Sequence, residues 1–128
     1  MFSDYSLALI HEGKIIYSQD WKGLRPLVDC VQKNKGKYKD CILHDKVVGL
    51  ASAKIIVYSG MIKEVHTNTC SKLAKKHLES NNIIVKADKI VEHIFMADRK
   101  TVCPGDMKAQ ESKSDEEFFF EIARTYGV

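Results

Sequence analysis

The chain has 128 residues, 45% of them hydrophobic and 29% charged, with a formal net charge of +3. That is the size of one domain around one core, and the charge is too small to argue for nucleic acid by itself. The opening MFSDYSLALIHEGK has no basic start and its apolar run stops at Ile10, against a signal peptide or membrane span, so a cytoplasmic location is expected.

Residues 5–19, YSLALIHEGKIIYSQ, read as two short strands around Glu12-Gly13, a pair suited to a tight hairpin turn. KGLRPLVDCVQKN (22–34) predicts a helix with Pro26 in its first turn, where the missing N–H costs nothing, and Leu27, Cys30 and Val31 as its apolar stripe. A Lys-rich loop (Lys33, Lys35, Lys37, Lys39) leads to a short strand around Cys41 to Leu43. The loop reads as a solvated turn; without interleaved aromatics over a longer face it argues against nucleic-acid binding.

HDKVVGLASAKIIVYSG (44–60) predicts a central, buried helix closed by Gly60. Its expected start is Asp45, as N-cap, followed by Lys46 and then the small residues Gly49, Ala51 and Ala53. Two readings fit this helix start. One is a capped core helix with a close-packing face. The other is a ligand pocket in which Asp45 and Lys46 are the polar groups.

IKEVHTNT (62–69) has strand character, with His66 alternating with Glu64 and expected to be exposed or to line a groove. SKLAKKHLESNN (71–82) predicts a helix whose stripe is Leu73, Ala74, His77 and Leu78, with His77 as a packed core residue. IIVKA (83–87) predicts a strand, VEHIFMADR (91–99) fits helix or strand, and residues 100–114 read as a loop or linker around Pro104-Gly105. The last segment, 114–127, opens with the capping box Ser114-x-x-Glu117 and predicts a helix. Its face of Phe118, Phe119, Ile122 and Tyr126 needs a partner, either the domain itself or a second subunit. Strands alternating with helices after an opening hairpin imply an α/β fold with a mixed sheet and helices on both faces. Ligands in such sheets collect beyond the carboxyl ends of parallel strands.

Cys30, Cys41, Cys70 and Cys103 form no C-x-x-C pair and match no compact zinc spacing, and the histidines show no H-x-x-x-H. Cys70 falls where a strand feeds a helix; it is either a small buried residue or a thiol favoured as the anion by the helix end. Ser71 is an N-cap that could also present its N–H to a phosphate or carboxylate.

KGLRP (22–26), DKVVGLASA (45–53), the strand-to-helix step at Cys70-Ser71, ADR (97–99) and CP (103–104) occur in one order. Together they resemble a small family of uncharacterised prokaryotic domains with a cytidine deaminase-like fold, over residues 5 to about 106. The resemblance implies a three-layer α/β/α sandwich around a five-stranded mixed sheet, and no established reaction. It divides the chain into a domain at 1–106 and a linker with a C-terminal helix at 107–128. Zinc-dependent deamination is not expected. If His44 were the first ligand, Lys46 would stand where the general acid/base Glu belongs, Cys70 has no cysteine three residues on, and Cys103-Pro104 reverses the needed dipeptide.

The expected function is therefore the binding of a small polar metabolite, nucleotide-like by analogy with the fold, with no cofactor or metal. Asp45, Lys46 and Cys70 are the candidate catalytic residues, and Arg25, Gly49, Ser71, Arg99 and Cys103 the candidate ligand-binding ones. A second reading is a non-catalytic interaction module, with a partner or a homodimer on the C-terminal helix. A third is metal or redox work by Cys70 with Cys103.

Overall fold

The computed structural model describes residues 5–21, 23–94, 109 and 114–127. In chain order the elements are β1 (Leu7–His11), β2 (Lys14–Gln19), α1 (Arg25–Asn34), β3 (Cys41–Asp45), β4 (Val47–Val48), α2 (Leu50–Ser59), β5 (Ile62–Ser71), α3 (Lys72–Ser80), β6 (Ile84–Val91) and α4 (Asp115–Thr125). The fold is mixed α/β, with a six-stranded mixed sheet and four helices among the described residues.

The hairpin turns where the sequence places it. Glu12 and Gly13 both have positive φ, 51° and 79°, the conformation a two-residue turn needs to match strand twist. β1 pairs antiparallel with β2 on one side and β3 on the other, and all remaining pairings are parallel. β6 runs along one edge of β5 from Glu64 to Ser71. β3 and β4 therefore share the other edge end to end, β3 beside Ile62–His66 and β4 beside Thr69–Cys70.

This corrects the sequence reading of residues 45–49. The chain does not begin a helix at Asp45. It interrupts its strand there, resumes it as β4, and starts α2 only at Leu50, with Gly49 as N-cap. The sheet accordingly has six strands, not the five expected, and the sixth is this two-residue continuation. The cause is non-local. Lys46 N–H donates to Ser6 O (3.1 Å), and Lys46 O accepts from Thr69 N–H (3.2 Å), so neighbouring strands satisfy the backbone that a helix would otherwise have used.

One face of the sheet carries the core. Leu7, Leu9, Leu43 and Val65 are fully buried, and Val85 and Ala87 pack against them. The crossovers β2–α1–β3, β3–α2–β5 and β5–α3–β6 all step across the sheet in one direction, so right-handed connections place α1, α2 and α3 on that same face. Consistently, α2 packs against both α1 and α3. α2 itself is buried nearly all round, from Leu50 through Ile56, which its apolar sequence foretold.

Local signals set most helix ends. Pro26 occupies the first turn of α1. Ser71 Oγ accepts from Ala74 N–H (3.2 Å) to cap α3, and Ser114 Oγ accepts from Glu117 N–H (3.1 Å) to cap α4. Gly60 closes α2 in the left-handed region at φ 66°, with no atom near where a Cβ would stand. The Gly60→Ala variant is therefore expected to lose about 1 kcal/mol from backbone strain alone, readable as a lower denaturant midpoint with unchanged slope.

The apolar face of α4 is covered by the domain itself. Phe118, Phe119, Ile122 and Ala123 are buried, α4 packs on α2 and α1, and the Phe119 ring stacks on Tyr58 of α2 at 4.4 Å between centroids. Phe120 remains outside. Two expectations for α3 fail. Leu73 is exposed rather than part of the buried stripe, and His77 is not a core residue. His77 is half-buried, with Nε2 2.8 Å from Asp115 Oδ1, and ties α3 to the start of α4. Of residues 91–99, Val91 ends β6, and those from 95 on lie outside the described residues, as does the boundary expected near 106. No helix among the described residues is long and apolar enough to cross a membrane.

Candidate functional site

Because β2, β3, β4, β5 and β6 all run the same way, their carboxyl ends lie toward one edge of the sheet, where α1, α2 and α3 begin. Five of the predicted site residues fall along this edge or just inside it: Arg25, Asp45, Lys46, Gly49 and Ser71, with Cys70 beside them. Arg99 and Cys103 lie outside the described residues.

Asp45 is the focus. It ends β3 opposite Leu7 of β1, on the core-facing side with Leu43. Its carboxylate accepts from the backbone N–H groups of Lys46 and Val47 as the strand breaks. Those two bonds favour the anion, yet loss of water outweighs them and burial pushes the group up to about 8. Loss of water thus favours the protonated form of this half-buried acid, which can donate one hydrogen bond as well as accept. Asp45 is thus not the N-cap of α2 that the sequence suggested. Gly49 stands there in extended conformation (φ −100°, ψ −174°) and supplies no side-chain cap.

The remaining groups divide. Lys46 is exposed beside Asp45. Arg25 is exposed at the opening of α1 and lies over the Trp21 ring, 5.6 Å from its centroid, with β1 between its own strand and β3. Ser71 spends its hydroxyl on capping α3. Cys70 is fully buried in the core cluster, and its Sγ donates to Ser71 O (3.4 Å), so of its two readings the packed small residue describes its environment. Cys30, in α1 below Asp45, is a buried thiol pushed up to about 12 by burial, with the nearby acids adding to the shift.

Two features went unread in the sequence. Thr67, a buried β5 residue, places its Oγ1 3.0 Å from Lys46 O and 3.1 Å from Thr69 O, pinning the strand break from the side. Polar Thr in a strand of core residues was the available signal. His44 and His66, read separately, are neighbours: they pair in register across β3 and β5 and stack at 5.0 Å. Parallel pairing of two strands separated by a helix is not visible in either segment alone.

His44 and Asp45 alternate to opposite faces of the sheet. Among the described residues no three His, Cys, Asp or Glu side chains converge as metal ligands.

Comparison with known proteins agrees with the fold just described. A crystal structure of a DUF1893 family protein (TM1506) from Thermotoga maritima superposes with a TM-score of 0.85 at 23% identity, covering 95% of this chain and 81% of that one. No curated protein matches. The family model described as TM1506, domain of unknown function (DUF1893), matches residues 1–125, and the chain therefore belongs to that family.

Proposed function

We propose that this domain binds a small polar metabolite, nucleotide-like in character, at the carboxyl edge of its sheet. In this reading the fold is a zinc-free relative of the cytidine deaminase sandwich. Asp45 is the central group, and Lys46 meets negative charge at the rim.

The observation that carries the reading is the state of Asp45. A carboxyl group raised from its usual value to about 8 opposes folding at neutral pH, since the chain must hold a proton there that the unfolded chain releases. Asn has the same shape without that penalty. An acid kept at a strand break, just ahead of a helix start, is the kind of tuned group that ligand sites use. Arg25, at the opening of α1, would border the site.

A thermal-shift screen of nucleobases, nucleosides and nucleotides tests this. At least one is expected to raise the melting temperature of the full chain, and Asp45→Asn to abolish that rise. A flat response across the screen, or an unaltered rise in the variant, would count against the reading. The rival reading as a protein-interaction module through α4 has only Phe120 to offer, because the rest of the apolar face is already in the core.

A further inference from the structure

On the face of the sheet opposite α1–α3, four chain segments bring polar side chains into one row. Tyr5 Oη lies 2.9 Å from His44 Nδ1. The His44 ring stacks on His66 at 5.0 Å, with 20° between planes. His66 Nε2 is hydrogen-bonded to Glu64 Oε2, and Lys86 Nζ lies 3.6 Å from the same oxygen. His44 is buried, while the His66 and Glu64 side chains keep 22% and 16% of their surface and Lys86 is exposed.

The chemistry follows from which nitrogen is taken. A carboxylate accepts only, so the Nε2 that meets Glu64 carries the hydrogen, and in the neutral ring Nδ1 is then a lone pair. Among the described residues no hydrogen bond to that Nδ1 is made. No buried polar side-chain atom among the described residues lacks a partner, so Nδ1 must reach solvent. The stack on His44, itself held by Tyr5, fixes the ring plane. His66 and Lys86 together hold the Glu64 carboxyl below the usual carboxylate range, so it stays an anion to face an imidazolium.

We infer that Glu64, His66 and Lys86 form a second, general-base site on this face, acting on a weakly acidic hydroxyl, water included. In the step, the O–H bond of the ligand breaks and its proton forms a bond to His66 Nδ1. The imidazolium is balanced by Glu64, and the Lys86 ammonium beside that carboxyl adds positive charge to the site as the oxyanion forms. Glu64 and His44 are positioning residues. The inference does not depend on the carboxyl-edge site, which lies on the other side of the sheet.

Two measurements on the full chain test it. Long-range proton–nitrogen NMR of labelled protein at neutral and mildly alkaline pH is expected to show His66 locked as the Nε2–H tautomer, and a mixture of tautomers in Glu64→Gln. With p-nitrophenyl acetate as probe, water gives its proton to Nδ1 as its oxygen bonds the acyl carbon and p-nitrophenolate leaves. Hydrolysis is expected to drop about tenfold or more in His66→Gln and several-fold in Lys86→Ala. The thermal-shift response reads the carboxyl edge and these two readouts read the opposite face, so each site can fail alone. An Nδ1–H tautomer in the native protein, or full hydrolysis by His66→Gln, overturns the inference.

Discussion

Replacing Asp45 by Asn should make the protein more stable, and increasingly so as pH rises. The sign comes from proton counting. Between the unfolded value of about 3.9 and the folded value of about 8, the native chain holds a proton that the unfolded chain has lost. Native stability therefore falls as pH rises through that window and levels off above it. At 1.36 kcal/mol per unit, the full loss above pH 8 is on the order of 4–6 kcal/mol. Asn does not titrate, can still accept from one of the two backbone N–H groups, and can donate as the protonated acid does. Urea unfolding at several pH values should show wild type and Asp45→Asn close together near pH 4 and separated by several kcal/mol above pH 8. Parallel curves across that range would mean that the carboxyl is solvated and that no tuned acid exists here. The same variant should lose the ligand response, so stability and binding are expected to move in opposite directions.

Phe119→Ala should cost about 3–5 kcal/mol, the usual range for emptying a buried aromatic site. Phe119 is 1% exposed and stacked on Tyr58, and Phe118 beside it is fully buried. A domain of this size has about 5–15 kcal/mol in hand, so the variant should sit near the edge of stability at 37 °C. Phe120→Ala, one position on but 49% exposed, should cost well under 1 kcal/mol. Denaturation of the pair separates two roles for α4. If Phe119→Ala unfolds like wild type while changing mass in solution, the helix serves a partner and not the core. Agreement of the two phenylalanines in either direction would likewise remove the packing argument.

Much of the fold was legible because short-range chemistry decides it. The positive-φ pair at Glu12-Gly13, Pro26 in the first turn of α1, Gly60 closing α2, and the hydroxyl caps Ser71 and Ser114 each act within four residues of themselves. The mistakes share a different origin. His77 occupies a position on an apolar stripe, and the stripe alone predicts burial in the core. What it meets is Asp115, 38 positions away, and the pair turns a core residue into a half-buried tie between helices. Leu73 belongs by spacing to the same stripe, but in the first turn of α3 it stays 42% exposed.

For Asp45, the local rule and the tertiary outcome compete directly. An acid ahead of an apolar run is a good helix opener, and taken alone the segment satisfies itself that way. In the folded chain Ser6, Thr67 and Thr69 offer the backbone of Lys46 its hydrogen bonds from the side, and the strand runs on to Val48. That delay draws the carboxyl inside instead of leaving it on a helix end in water.

The sequence by itself settled element types and most of their ends, because caps, turns and apolar periodicity act over a few residues. Only the tertiary structure decided that Asp45 is half-buried at a strand break, that the C-terminal helix completes the core, and that His44 meets His66. Each of these needs two segments far apart in the chain to be brought side by side, and a local pattern carries no information about what will lie across from it.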